Sequence, residues 1–418
     1  MTSAAPRQHW HSVPVSDLIT ISHGFAFKGE YFSEYGRDAV TTPGNFLEAG
    51  GFRRTETKQR YYSGSIPEAY RLKAGDLIVA MTEQAEGLLG STAFVPDAGS
   101  WLHNQRIGRI RAKSDEVSLK YLYYVFNSFE FRKSVAETAA GTKVKHTSPV
   151  KLGTVEILLP PRGEQDRIAG KLDDCDDMIL GLERLIAKKQ EIKQGFMQQL
   201  LTGRSRLPGF TAPWEEDSVG SFLEFKNGLN KGSEFFGSGT PIVNFMDVMN
   251  GPLITATDLL GRVTLSRDER RRFSAKKGDI FFTRTSETVE EVGTAAVLVE
   301  DVQDAAFSGF ILRGRPRATD CDPRFLAYLF QTDRVRRQVT SAATYTTRAL
   351  TNGRSLSRIV VQVPSLDEQR AIGSVLEDNE SELSALEERL KKAVDIKLGM
   401  MQQLLTGRTR LPVKEGAA

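Results

Sequence analysis

The segment Met197-Gln198-Gln199-Leu200-Leu201-Thr202-Gly203-Arg204 recurs without change as Met401-Gln402-Gln403-Leu404-Leu405-Thr406-Gly407-Arg408, an offset of 401 − 197 = 204. The same offset pairs Glu164-Gln165 with Glu368-Gln369, Leu182-Glu183 with Leu386-Glu387, and Arg206-Leu207-Pro208 with Arg410-Leu411-Pro412. It reaches into more divergent sequence, pairing Trp10 with Trp214, Gly24 with Gly228, and Tyr124 and Phe126 with Tyr328 and Phe330. Lys73-Ala74-Gly75-Asp76-Leu77 matches Lys276-Lys277-Gly278-Asp279-Ile280 at 203, one residue out of step. A repeat of this period dictates the architecture, because each copy must fold as an equivalent unit. The expected layout is a first variable domain over 1–158, a matched helical region over 159–207, a second variable domain over 208–363, a second helical region over 364–412 and a flexible tail over 413–418.

Both matched regions begin after proline (Pro160-Pro161 and Pro364), which disfavours helix just upstream. Apolar residues then fall at Ile168, Leu172, Cys175, Ile179, Leu182 and Ile186, spaced alternately by four and three. The second copy places Ile372, Leu376, Asn379, Leu383, Leu386, Leu390 and Ala393 on the same stripe. This is a heptad seam with charged flanks, and Gly203 or Gly407 can end each helix in a left-handed turn. From Glu164 to Leu201 a continuous helix would be about 57 Å long at ~1.5 Å per residue. A stripe so narrow needs a partner in water. Either the two helices pair with each other, antiparallel, as a rod with a variable domain at each end, or each is buried in a separate core. Asn379 on the seam either fixes the register of such a pair or reaches solvent.

Bulk properties exclude several classes. The chain has 418 residues, 40% hydrophobic and 26% charged, with a net charge of +3, which neither requires nor excludes nucleic acid. Two cysteines, Cys175 and Cys321, cannot form a disulfide framework, and none of the five histidines stands in a zinc-enzyme spacing. No apolar run approaches the ~18 residues of a membrane span. The segment Met1 to Pro6 lacks signal-peptide character, so a cytoplasmic location with no membrane partner is expected.

The variable domains read as mixed α/β. Strand-like runs are Asp76–Ala80, Thr154–Leu159, Asp279–Thr283 and Ile359–Val363, with helical stretches expected over Leu119–Val135 and Phe325–Val339. Between helix and last strand lie polar, basic loops: Ala140-Gly141-Thr142-Lys143-Val144-Lys145-His146-Thr147 in one copy, Thr344-Tyr345-Thr346-Thr347-Arg348 in the other. Such residues suit phosphate positioning and base-edge hydrogen bonds. Candidate DNA-contacting residues are Lys58, Arg60, Tyr61, Arg106, Lys143, Lys145, His146, Arg271, Arg284, Thr285, Ser286, Tyr345, Thr346, Thr347 and Arg348. For any single one, a solvated surface or local ion pair is the competing account. Different residues at equivalent loops suggest one scaffold reading two targets.

This organisation resembles the specificity subunit of type I restriction–modification systems, over essentially the whole chain. The marks are the Pro-x-x-Glu-Gln-type helix start (Pro161–Gln165, and Pro364–Gln369 with one extra residue), the twin Gln-Gln-Leu-Leu-Thr-Gly helix ends, and Gly-Asp-Ile-Phe-Phe-Thr-Arg-Thr at 278–285. The first copy departs from the last, reading Gly75-Asp76-Leu77-Ile78-Val79-Ala80-Met81-Thr82. The resemblance implies two α/β target-recognition domains joined by two long helices in an antiparallel coiled coil with pseudo-two-fold internal symmetry. It implies a non-catalytic subunit that reads a bipartite double-stranded DNA target and docks two methyltransferase subunits and restriction/translocase subunits. AdoMet, ATP and Mg²⁺ would then belong to those partners, with no cofactor or metal on this chain. In agreement, no Asn-Pro-Pro-Tyr-like methyltransferase motif, phosphate-binding P-loop or catalytic constellation stands out in the sequence. A related restriction system with fused methylase–nuclease partners, or a scaffold binding only proteins, would share much of this pattern.

Overall fold

Both heptad stripes form the long helices their periodicity demands: Arg162–Leu200 and Leu366–Leu404, each of 39 residues, in a computed structural model that describes residues 10–55, 58–83, 87–141, 144–317, 321–345 and 348–412. The first helix starts directly after its prolines, where the Glu164 and Gln165 amides donate to the Pro161 carbonyl. Each ends at a glycine with φ +69°, Gly203 or Gly407, a conformation costly for any residue with a Cβ. The last carbonyls are met by the Ser205 amide on Gln199 at 3.2 Å and by the Thr409 amide on Gln403 at 3.1 Å.

The chain divides into two units: Met1–Gly181 with Arg389–Ala418, and Leu182–Glu388. In the first unit, the start of the first helix runs antiparallel to the end of the second. Cys175 Sγ lies 3.6 Å from Met400 Sδ, and Lys397 Nζ lies 2.5 Å from Asp176. Ile168 and Leu172 share a core with Met401, Leu404 and Leu405, and with Leu77, Tyr121, Phe126 and Leu152 of the domain. In the second unit, the end of the first helix lies against the start of the second, with Lys189 2.6 Å from Glu382 and Lys193 paired with Glu380. Leu200, Leu201, Ile372 and Leu376 enter a core with Leu223, Ile280, Phe325 and Leu356. Within each unit a helix end packs against the other helix and the domain's own core.

Along the seam Cys175, Leu182, Ile186, Leu383, Leu386 and Ala393 are buried, while Ile179 and Leu390 are half-buried. Asn379 is half-buried, and its side-chain amide donates to the Val375 carbonyl of its own helix at 2.7 Å.

The domain of the first unit is built on an antiparallel sheet in the order Ile19–His23, Ile107–Ala112, Leu77–Ala80, Thr92–Phe94. The second unit repeats it with Leu223–Asn227, Ile311–Pro316, Ile280–Thr283 and Ala295–Leu298, adding Leu253–Ile254 on the edge. Both also carry a smaller sheet. In the first unit it includes Tyr61–Tyr62, Asp38–Thr41 and Ser100–His103; in the second, Arg262–Val263, Phe236–Val243 and Ala306–Phe307. Ahead of each long helix, a strand (Glu156–Leu159 or Val360–Val363) pairs antiparallel with the strand that opens the domain, His11–Pro14 or Glu215–Ser218.

Each expected helix over Leu119–Val135 and Phe325–Val339 is in fact two, Leu119–Phe126 with Phe129–Thr138 and Pro323–Leu329 with Asp333–Ser341. In the first unit the break is chemical. Asn127 turns its side chain onto Thr92, and Ser128 accepts from the Phe131 amide to begin a new helix.

Candidate nucleic-acid interface

At the end of a central strand in the first unit, three chain segments are joined by backbone hydrogen bonds. The Met81 amide donates to the Arg106 carbonyl at 3.0 Å, and the Thr147 amide donates to the Met81 carbonyl at 2.9 Å. In the second unit the Arg284 amide donates to Phe310 at 3.0 Å and the Thr351 amide donates to Arg284 at 2.9 Å. The offsets are 203, 204 and 204, so this is one junction built twice, holding Met81, Arg106 and Thr147 in one copy and Arg284, Phe310 and Thr351 in the other. In both, the threonine side-chain oxygen is buried without a hydrogen-bond partner among the described residues. Below each junction a glycine lets the first strand of the sheet approach the turn before Arg106 or Phe310. A Cβ on Gly24 would stand 2.3 Å from the His103 and Asn104 carbonyl oxygens, and one on Gly228 2.0 Å from that of Ser308.

A short antiparallel ladder extends each junction. Lys145–His146 pairs with Thr82–Glu83 in the first unit; Thr285–Ser286 pairs with Ala349–Leu350 in the second, with Thr344–Tyr345 on the far side. The fold thus brings the basic loops of the sequence together with the Arg284-Thr285-Ser286 run. His146 is exposed, its Nδ1 3.2 Å from Thr82 Oγ1, and Lys145 Nζ lies 3.7 Å from Glu83. Glu83 is buried and fixes the adjoining turn by accepting the Leu88 and Leu89 amides at 2.8 and 2.7 Å. In the second unit Ser286, at the position of Glu83, donates to Glu291. Arg348 is exposed with Glu287 at 3.8 Å, and Tyr345 is exposed.

The remaining candidates lie apart from these junctions. Half-buried Tyr61 belongs to the smaller sheet of the first unit, and exposed Lys58 and Arg60 lie just before it, Arg60 3.9 Å from Glu34. Arg271 sits on the helix Arg267–Arg272, beside a concavity of about 710 Å³ also lined by Arg267, Arg270 and Lys276. Lys143, Thr346 and Thr347 lie outside the described residues. Sequence reasoning passed over Met81, Phe310 and Thr351, which the repeat offsets of 203 and 204 could have found once Arg284, Arg106 and Thr147 were placed on them.

Three comparisons bear on this arrangement. The family model for the type I restriction modification DNA specificity domain matches residues 7–194. The EcoKI specificity subunit of Escherichia coli K12 is 22% identical over 97% of this chain and 88% of its own length. The StySPI specificity subunit of Salmonella potsdam is 20% identical over 95% and 87%. Among solved structures, the S subunit of the M. genitalium type I system superposes with a TM-score of 0.63 at 15% identity, covering 97% of this chain and 98% of that one.

Over nearly its whole length the chain is similar to type I restriction–modification specificity subunits, and residues 7–194 match the DNA specificity domain of that family.

The signature residues at the helix starts have defined work. Glu164 accepts from Arg410 at 2.9 and 2.5 Å and from the Trp10 indole at 3.1 Å. Burial would raise its pKa, but the Arg410 and Trp10 hydrogen bonds outweigh it and hold the carboxyl below its usual range. Glu368 accepts from Arg206 at 2.5 Å, and both arginines lie over a tryptophan, Trp10 or Trp214. Gln165 accepts from the Ser118 amide at 2.8 Å and donates to Pro160, tying the helix start to the domain; Gln369 does the same with Asp322 and Pro364. No helix among the described residues is long and apolar enough to cross a membrane, and none of their His, Cys, Asp and Glu groups could hold a metal ion.

Proposed function

We propose that this chain is a type I specificity subunit that recognises a bipartite double-stranded DNA target, each of its two domains reading one half, while the two long helices act as an antiparallel spacer. The observation that supports this most is the twice-built junction: backbone hydrogen bonds are retained while the side chains differ. Two weak readers on one spacer raise each other's effective concentration only when half-site spacing matches the span. Methyltransferase subunits dock on the helical regions and supply AdoMet chemistry, flipping the target adenine from the stack. Restriction/translocase subunits bring ATP and Mg²⁺. The chain itself is non-catalytic, and its basic loops position phosphates and base edges.

The test is to assemble the subunit with its modification partners and read methylated positions across a genome. A bipartite motif with an unspecified spacer is expected. Inserting one heptad after Ile186 and a matching one after Leu390 adds about 10 Å at ~1.5 Å per residue. The spacer should then grow by about 3 bp at the ~3.4 Å base-pair rise. An unchanged spacer would reject the ruler. Absence of methylation with partners that co-purify would favour a protein scaffold instead.

A further inference from the structure

Arg284 is half-buried, and among the described residues its guanidinium has no carboxylate or hydrogen-bond partner. Taking a cation partly out of water without a partner opposes folding. The fold does not require one there: the equivalent position is Met81, which is 2% exposed and packs in the apolar core. One turn away, Phe310 is 62% exposed, and its carbonyl accepts the Arg284 amide. An exposed aromatic at a turn is likewise no contribution to folding, and its counterpart, Arg106, is exposed and without a side-chain partner among the described residues. Arginine and an apolar residue have thus changed places between two positions of one backbone junction. Stability accounts for neither choice in the second unit.

We infer that these exchanged positions determine sequence specificity: Arg106 for the half-site read by the first domain, and Arg284 with Phe310 for the half-site read by the second. The inference rests on the DNA-reading function proposed above. A guanidinium can donate two parallel hydrogen bonds to guanine O6 and N7 in the major groove, and an aromatic face can cover a thymine methyl. Held side by side by one backbone hydrogen bond, Arg284 and Phe310 would read neighbouring positions. Arg106, at the equivalent place in the first unit, would read a different pattern from the same scaffold.

The experiment uses the full subunit assembled with its modification partners, with methylated motifs read by single-molecule sequencing. Arg284→Met borrows the residue that the repeat itself tolerates, so the fold is retained; a melting curve verifies this. Discrimination at one base pair of one half-site should fall about tenfold or more, with the other half-site unchanged. Arg106→Phe should relax the opposite half-site. Arg284→Lys keeps charge but loses the planar fork, and should relax the motif at the same position. Should either Arg284 variant fold poorly, Phe310→Arg, on an exposed turn, carries the test by altering the second half-site. Folded Arg284 and Arg106 variants that methylate the wild-type motif overturn the inference and leave the proposed function standing. Uniformly weaker methylation without a motif change also overturns it, marking a phosphate contact. A wild-type complex that methylates no bipartite motif overturns both.

Discussion

The helix-start clusters and the strand-end junctions come from the same repeat, yet their residues have diverged by opposite rules. At the helix starts, Glu164, Gln165, Trp10 and Arg410 are matched residue for residue by Glu368, Gln369, Trp214 and Arg206, with the same arginine and glutamine contacts, though only the Trp10 indole donates to its glutamate among the described residues. At the junctions the backbone bonds are the same, while Met81 and Arg106 face Arg284 and Phe310. Side chains that hold a helix to its domain are fixed by partners on other segments, so a change in one strands another. At the junctions the backbone bonds are kept whichever side chain is present: Met81 packs in the core, while Arg106 and Phe310 are exposed.

This contrast can be broken most forcefully in the cores. Leu172→Ala and Leu376→Ala remove fully buried leucines at equivalent positions and should each cost about 2–5 kcal/mol in chemical denaturation. A large inequality between them would mean that the two cores are not equivalent. Next come the glutamines. Gln165→Ala should cost up to about 3 kcal/mol, since buried amide and carbonyl groups lose partners together. Gln369→Ala should cost somewhat less, because Gln165 also donates to the Glu116 carbonyl.

A difference between the units should appear with pH. Burial pushes the His103 imidazole down to about 4, with its Nε2 2.8 Å from the Ile107 carbonyl. The unfolded chain takes up a proton near pH 6.5, whereas the folded first unit does not until about pH 4. Stability is therefore full above pH 6.5 and falls through that window, by about 2 kcal/mol between pH 7 and 5. The second unit has Phe307 at the equivalent position, and His103→Phe should remove this part of the slope in melting curves across that range. The smallest effect belongs to the helix ends: Gly203→Ala and Gly407→Ala each force a Cβ into φ +69° and should cost about 1 kcal/mol.

Much of this architecture was legible in the chain. The repeat announced two equivalent units, and the seven-residue stripe with flanking prolines and glycines located both long helices, because those signals are local. The bond of Asn379 back to Val375 was not legible, since nothing in a stripe tells a residue that faces another helix from one that bonds back to its own. The helix breaks at Asn127-Ser128 were missed because Thr92, which draws Asn127 out of the helix, is distant in sequence. The candidate contacts were legible as residue types but not as a place. Which basic loops adjoin which strand ends depends on ladder pairing between residues such as Thr82 and His146, and no periodicity encodes that.

The most direct test of two readers on one scaffold is to replace residues 208–363 with a second copy of 1–158 and sequence the methylome of the assembled complex. The account predicts a motif whose two halves are both the one read by the first domain, with the spacer length kept. A motif that retains the original second half would contradict it.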